Sequence, residues 1–311
     1  MAKYYYDRLK TLILPRNADV IMIIGARGLG KTYGVRKYMI EDYLKNGYCF
    51  VEVTRFREEN NDVAANYFSR IVQDNIFPDY EFRTTNKIAE IRKKKTGKKE
   101  NPWKTIGYFI PLSLQQQKKK STYVNVRNIC MDEIIIDNDD RYHTYLKNEF
   151  EQLAKLVDTV TRERADDTGL RKPRVFLLGN ACDAFNPYFR HYDVPLEPEH
   201  GLQWLGGKTC LFDYVRDDEY AEQKTKNTVA GRMLKNNDDG IILILLQNHT
   251  DMQNLRMFFD GCKTNTVCML ICVAVMFSWP RNMIAARVYR ILQSLGRTTN
   301  LTILPRAWLK I

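Results

Sequence analysis

Eight consecutive residues near the start of the chain have the types and spacing that bind the phosphates of a nucleotide. They follow the pattern G-x-x-x-x-G-K-[ST], after a predicted strand and before a predicted helix. Glycines let backbone N–H groups close around phosphates, the lysine bridges the β- and γ-phosphates, and the hydroxyl binds Mg²⁺. The alternative is a glycine-rich turn without a ligand. The eight are Gly25, Ala26, Arg27, Gly28, Leu29, Gly30, Lys31 and Thr32.

A pair of acidic residues supplies the second part of such a site. Asp132 and Glu133 close the apolar run that begins at Asn128. We predict that Asp132 holds Mg²⁺ together with Thr32 and that Glu133 polarises the attacking water. The adjacent glutamate is typical of the additional-strand branch of P-loop ATPases, rather than of kinases or small GTPases. Alone, the same pair could simply solvate the end of a strand.

Polar residues at the ends of other predicted elements could contact the γ-phosphate. Asn180 follows the apolar run 175–179, where its amide could sense the γ-phosphate or satisfy a turn. The arginines of residues 158–164 follow a predicted helix. They could reach the γ-phosphate of a neighbouring subunit as an arginine finger does, or pair with the helix dipole.

Three basic segments are candidates for contact with nucleic acid. They are Arg55 with Arg57, residues 93–99, and the run Lys118, Lys119 and Lys120. A lysine run is usually a solvated loop. Residues 118–120 differ because they precede the Asp132 strand in an otherwise uncharged segment, and a mobile loop of this kind can face a pore.

Strands and helices alternate along the first part of the chain. Short apolar runs at 18–24, 49–53, 128–131 and 174–178 predict buried strands, and helices are expected over 31–46 and 150–160. We expect a charged loop over 55–59 and a hairpin turn at Thr96-Gly97 within a lysine-rich stretch. This alternation predicts an α/β fold with a parallel sheet.

Composition limits the class of protein. The 311 residues, 44% of them hydrophobic, suffice for one large or two modest domains, and the net charge of +11 suggests a polyanionic partner. The seven cysteines lack zinc-site or disulfide spacing, which indicates reduced thiols in a cytosolic protein. The longest apolar stretch, 267–277, is too short to span a bilayer, so no membrane role is expected.

Acidic residues become rare after Asp239. We therefore predict an ATPase domain over residues 1–195, a linker over 196–237 and a small C-terminal domain over 238–311 that contacts DNA or the procapsid. Asp251 and Asp260 are the only acids from residue 240 onward, too few for a two-metal nuclease.

The first 190 residues resemble the DNA-packaging (encapsidation) ATPases of phi29-like phages, which are related to terminase large-subunit motors. The resemblance rests on segments 24–32, 107–114, 158–162 and 179–189 and on the pair Asp132-Glu133. It implies a P-loop ATPase domain of the additional-strand, RecA-like type that binds ATP and Mg²⁺. The family's smaller C-terminal domain has a degenerate RNase-H-like nuclease fold, from which this chain departs beyond Asn237.

The resemblance also implies an assembly that drives double-stranded DNA into an empty procapsid in the host cytoplasm. The chain would form a homomeric ring, a pentamer, on the portal (connector) vertex of the procapsid. A small structural packaging RNA would lie between the ring and the procapsid. Arg162 would be the arginine finger acting on a neighbouring subunit, Lys120 would lie on the DNA-translocating loop, and Arg57 would lie near the DNA. Two alternatives stay open. One is a ring translocase or helicase that acts without a capsid, and the other is a nucleotide switch or structural module that does not hydrolyse ATP.

Overall fold

The computed structural model describes residues 2–95, 100–114, 123–136, 144–161, 171–180, 186–195 and 198–215. They form one large sheet with helices on both faces. Its nine strands are β1 (Val20–Gly25), β2 (Cys49–Thr54), β3 (Tyr80–Thr85), β4 (Ile88–Lys93), β5 (Lys104–Pro111), β6 (Val126–Met131), β7 (Arg174–Gly179), β8 (Gly201–Leu205) and β9 (Cys210–Val215). The helices are α1 (Ala2–Arg8), α2 (Lys31–Asn46), α3 (Arg57–Asn66), α4 (Ser69–Gln73), α5 (Glu149–Thr161) and α6 (Pro187–His191).

The strands lie in the order β3-β4-β5-β2-β6-β7-β1-β9-β8. The six from β5 to β9 are parallel, whereas β3 and β4 at one edge and β8 at the other run antiparallel to their neighbours. An additional strand, β7, separates β1 from β6. The predicted α/β fold with a parallel sheet of the additional-strand type is therefore confirmed.

The core lies on both faces of the sheet because its central strands are apolar on both sides. In β1, Ile21 and Ile23 pack with α1 and α2, while Met22 and Ile24 pack on the opposite face, where α5 and α6 lie. Helix α5 turns Leu153, Leu156 and Val160 toward this core at helical spacing. No helix in the described part of the chain is long and apolar enough to cross a bilayer.

The predicted linker over 196–237 is wrong for residues 201–215, which form β8 and β9. Strand β9 pairs with β1 over its whole length, from Val20 opposite Cys210 to Gly25 opposite Val215. The sheet therefore extends to Val215, beyond the predicted domain boundary at residue 195. The predicted C-terminal domain lies outside the described residues, as does the turn at Thr96-Gly97.

Candidate functional site

The predicted phosphate-binding loop lies between the end of β1 at Gly25 and the start of α2 at Lys31. Gly28 and Gly30 have φ values of 95° and 86°, in the left-handed region that favours glycine. A Cβ atom on Gly25 would lie 2.8 Å from the carbonyl oxygen of Val215 at the end of β9. Gly28 and Gly30 therefore allow the tight turn, and Gly25 allows β1 and β9 to approach closely.

The Lys31 side chain lies over this loop and is buried. Its Nζ donates to the carbonyl oxygens of Gly25 and Ala26 at 2.8 and 2.9 Å, and it lies 3.4 Å from Oδ1 of Asn180. Asn180 follows the end of β7. The lysine and the amide therefore meet at one point, although 149 positions separate them in the chain.

The Thr32 hydroxyl and the Asp132 carboxylate are in direct contact. Thr32 Oγ1 donates to Asp132 Oδ2 at 2.7 Å, and the other carboxylate oxygen accepts the backbone N–H of Glu133 at 3.0 Å. A hydroxyl and a carboxylate are oxygen ligands of the kind that Mg²⁺ takes, one or two from the protein and the rest from phosphates and water. Within the described ranges, no three His, Cys, Asp or Glu side chains cluster as a metal site. Thr32 and Asp132 thus fit Mg²⁺ bound with a nucleotide.

Glu133 has an exposed side chain on a strained backbone. Its φ is 54°, a conformation that costs a residue with a Cβ atom about 1–2 kcal/mol. The next residue returns to the sheet, where the N–H of Ile134 donates to the carbonyl of Leu178 at 2.9 Å. Such strain is often found at functional positions.

Arg55 holds this backbone in place from the short bend between β2 and α3, so the predicted charged loop over 55–59 is correct at Arg55 and wrong from Arg57 onward, where α3 begins. The predicted contact with nucleic acid does not fit Arg55, because its side chain is enclosed. Its guanidinium donates to the carbonyls of Glu133 and Ile134 at 3.2–3.3 Å and pairs with the Glu149 carboxylate at 2.9 and 3.0 Å. Arg55 and Glu149 are 5% and 1% exposed. Burial alone would lower the pKa of Arg55, but its bonds to Glu149 outweigh burial and raise it. Arg55 is therefore a permanent cation inside the protein.

Glu149 begins α5 and joins the helix to this arrangement. Its carboxylate accepts the N–H of Leu146 at 2.8 Å and the hydroxyl of Tyr188 in α6 at 2.7 Å. Burial first, and then the charge of Glu149, raises the pKa of Tyr188, so that its hydroxyl stays a donor. The sequence analysis did not identify Glu149, whose acidic side chain gives no local sign of a buried partner.

A second buried ion pair missed by the sequence analysis joins α2 to β2. Arg36 Nη2 and Nε donate to Oε1 of Glu52 at 2.6 and 3.1 Å. Glu52 is 1% exposed, and burial followed by the charge of Asp132 raises its pKa against the opposing charge of Arg36. The position of Glu52 within an apolar strand is the sequence feature that indicates a buried carboxylate with a partner.

The remaining predicted contacts divide into two groups. Arg57 is exposed at the first position of α3, and Lys93 is exposed at the end of β4. Several predicted residues lie outside the described part of the chain: Lys98, Lys99, Lys118, Lys119, Lys120 and Arg162.

The chain matches the family model "Podovirus DNA encapsidation protein (Gp16)" over residues 1–252. It is 31% identical over 218 residues to the DNA packaging protein of Bacillus phage B103 and 31% identical over 236 residues to that of Bacillus phage phi29. These matches cover 70% and 76% of this chain and 60% and 63% of the relatives. The chain thus matches less than two thirds of their length.

Two solved structures of phi29 share the fold. The N-terminal domain of its DNA packaging ATPase superposes with a TM-score of 0.55 at 31% identity, over 68% of this chain and 96% of that one. The phi29 viral genome packaging motor assembly gives a TM-score of 0.53 at 28% identity, over 73% of this chain and 63% of that one.

Proposed function

Because the chain belongs to the podovirus DNA encapsidation protein (Gp16) family, we propose that it hydrolyses ATP with Mg²⁺ to drive double-stranded DNA into a procapsid. The observation that supports this most is the contact of Thr32 with Asp132, beside Lys31 and Asn180. Residues from three strand ends meet at the loop that begins at Gly25.

In this proposal the loop binds the phosphates and Lys31 exchanges its carbonyl partners for phosphate oxygens. Thr32 and Asp132 would hold Mg²⁺, which would supply positive charge beside the β- and γ-phosphates. Glu133 accepts a hydrogen bond and then a proton from a water whose oxygen attacks the γ-phosphorus. The bond from that phosphorus to the β–γ bridging oxygen breaks, and ADP leaves with this oxygen. Asn180 senses whether the γ-phosphate is present.

The same edge of the sheet offers a route from hydrolysis to DNA. Arg55 contacts the backbone of Glu133 on one side and Glu149 at the start of α5 on the other. Arg57, proposed to lie near DNA, follows Arg55 at the start of α3, and Arg162, the proposed finger, follows the end of α5 at Thr161. We propose a ring of identical subunits, a pentamer, on the portal of the procapsid with a packaging RNA, in which Lys118, Lys119 and Lys120 grip DNA.

Two substitutions separate binding from hydrolysis. Lys31→Ala should lose nucleotide binding because it removes the phosphate-bridging charge, while Glu133→Gln should bind ATP and lose turnover because it cannot take the proton of the water. Equilibrium binding of a fluorescent ATP analogue and single-turnover hydrolysis by the purified chain measure the two steps.

A Glu133→Gln variant that hydrolyses ATP at the wild-type rate would show that the catalytic assignment is wrong. The packaging role has its own test, which compares ATP turnover with DNA alone and with DNA plus procapsids. Full stimulation by DNA alone would favour a translocase or helicase that needs no capsid.

A further inference from the structure

In its first turns, helix α2 makes two polar contacts with the sheet that lie one helical turn apart, in addition to those of Tyr38 and Asp42 further along the helix. The first is Thr32 with Asp132, the proposed Mg²⁺ ligands, at 2.7 Å. The second is Arg36 with Glu52, in which two guanidinium nitrogens donate to the same carboxylate oxygen at 2.6 and 3.1 Å. Residues four apart in a helix lie on the same face, so both contacts point from α2 toward two neighbouring strands, β2 for Arg36 and the end of β6 for Thr32.

Glu52 is closely connected to the strand that carries Asp132. In the pairing of β2 with β6, Glu52 lies directly opposite Cys130. Cys130 precedes Asp132 by two residues. The Cys130 thiol forms a hydrogen bond with the Glu52 carboxylate, while its oxygen Oε2 has no donor at ordinary hydrogen-bond geometry among the described residues. Arg36 is the cation paired with this carboxylate, and the guanidinium lies over the ring of Tyr67, 4.6 Å from its centre.

A buried ion pair of this kind adds little stability compared with apolar side chains of the same volume. The pair does constrain geometry, because two N–H groups that donate to one oxygen fix the distance between the helix and the strand and the rotation of the helix about its axis. Apolar packing tolerates sliding that a charged fork does not. Moving α2 would move Thr32 relative to Asp132.

We propose that the Arg36–Glu52 pair is a positioning pair, which holds Thr32 and Asp132 at the separation needed to bind a divalent cation with the nucleotide. This inference rests on the proposed function, because it assigns the cation to Thr32 and Asp132. Residues behind a metal site typically contribute 10–100-fold to metal affinity.

The test replaces both members with apolar residues, in Arg36→Met combined with Glu52→Leu, so that no buried charge is left unpaired. The matched control is Lys37→Met combined with Glu41→Leu, which removes an ion pair of the same helix on the side that contacts Tyr6 of α1, away from Thr32 and Asp132. The measurements are the denaturant midpoint, binding of a fluorescent ATP analogue as a function of Mg²⁺, and the Mg²⁺ dependence of ATP turnover.

If Arg36 and Glu52 act as a positioning pair, the double variant should fold, and its half-saturating Mg²⁺ concentration for nucleotide binding should rise about tenfold or more. Its nucleotide binding in EDTA should equal that of the wild type. The control variant should keep the wild-type Mg²⁺ dependence. If the folded double variant needs the same Mg²⁺ concentration as the wild type, the pair only packs the helix against the sheet and does not position the cation ligands. If the double variant does not fold, Arg36→Lys, which keeps the charge and loses the fork, decides in the same way.

The binding measurement separates this inference from the proposed function. A wild-type chain that binds nucleotide with Mg²⁺ but does not hydrolyse it would contradict the proposed ATPase and leave the pair to be judged by binding alone. Nucleotide binding that is independent of Mg²⁺ in the wild type would overturn the inference.

Discussion

Arg55 and Arg57 are two positions apart and have opposite surroundings. Arg55 is enclosed with the carboxylate of Glu149, while Arg57 faces solvent. Losing one member of a buried ion pair leaves the other charge without a partner, which costs about 3–5 kcal/mol. Arg55→Met should therefore lower the free energy of unfolding by about that amount, as measured by denaturant titration.

Arg57→Met is the matched control for this prediction, since it removes the same side chain from the surface and should change stability by less than about 0.5 kcal/mol. Equal effects of the two substitutions would mean that the buried pair does not stabilise the fold.

The backbone of Glu133 gives a second prediction at this scale. At φ 54°, glycine avoids the clash that any Cβ atom makes, so Glu133→Gly should be as stable as Glu133→Ala or more stable, by up to about 1 kcal/mol. The same comparison at Lys155, an exposed position in α5, should favour alanine by about 1 kcal/mol. Thermal unfolding of the four variants gives both differences, and an alanine preference at both positions would contradict the strained conformation.

Residue types and spacing were enough to predict the glycine loop between β1 and α2 and the proximity of Thr32 to Asp132. Their contact follows from a rule of the fold, that parallel strands end at one edge. No comparable rule links Arg55 to Glu149, because a charge beside a strand usually lies in solvent. Its burial depends on where α5 packs, which the local sequence does not specify.

At the scale of elements, the pairing of β2 with β5 depends on one glycine. Gly107 lies opposite Phe50, and a Cβ atom there would lie 2.5 Å from the Phe50 ring, which is itself stacked on Tyr67. Gly107→Ala should therefore cost about 1–3 kcal/mol, because the buried ring cannot move without disturbing its neighbours.

Phe50→Leu provides the control for Gly107→Ala, since the smaller side chain makes room for the methyl group. The double variant should be more stable than the sum of the two single effects predicts, by about 1 kcal/mol in a denaturation-based double-mutant cycle. Strict additivity would show that the ring and the glycine do not constrain each other.

The predicted elements were confirmed where patterns were simple and missed where a charge interrupted them. The range of α2 was predicted correctly because a glycine loop precedes it and Gly47 follows it. Strand β9 lies within the stretch 196–237, for which composition predicted a linker, yet its one acidic residue, Asp213, is fully buried and pairs with Arg8 at 2.6 Å. The turn joining β3 to β4 uses Asn86-Lys87 at positive φ, without the glycine that usually marks such a turn.

At the scale of the whole molecule, the proposed ring requires that one subunit complete the site of another. Arg162→Ala subunits keep Glu133, and Glu133→Gln subunits keep Arg162, so mixed rings can combine the intact residue of each. We expect each parent to lose about 10³–10⁵ in turnover and mixtures to regain activity, as measured by ATP hydrolysis across mixing ratios.

Mixed rings that form but stay as inactive as both parents would place the action of Arg162 within its own subunit. Native mass spectrometry of the mixtures is the control, because it shows whether both kinds of subunit occupy the same ring.

The position of β1 has a consequence for how this protein is made. Its two neighbours come from far along the chain, since Val20 pairs with Val175 in β7 and with Cys210 in β9. The ribosome therefore releases the nucleotide loop long before the strands that enclose it. Pairings over such distances form slowly and leave apolar strand edges exposed to aggregation in the meantime. The candidate site thus becomes native only late in synthesis, and a nascent chain interrupted before Cys210 lacks the strand that pairs with β1 beside it.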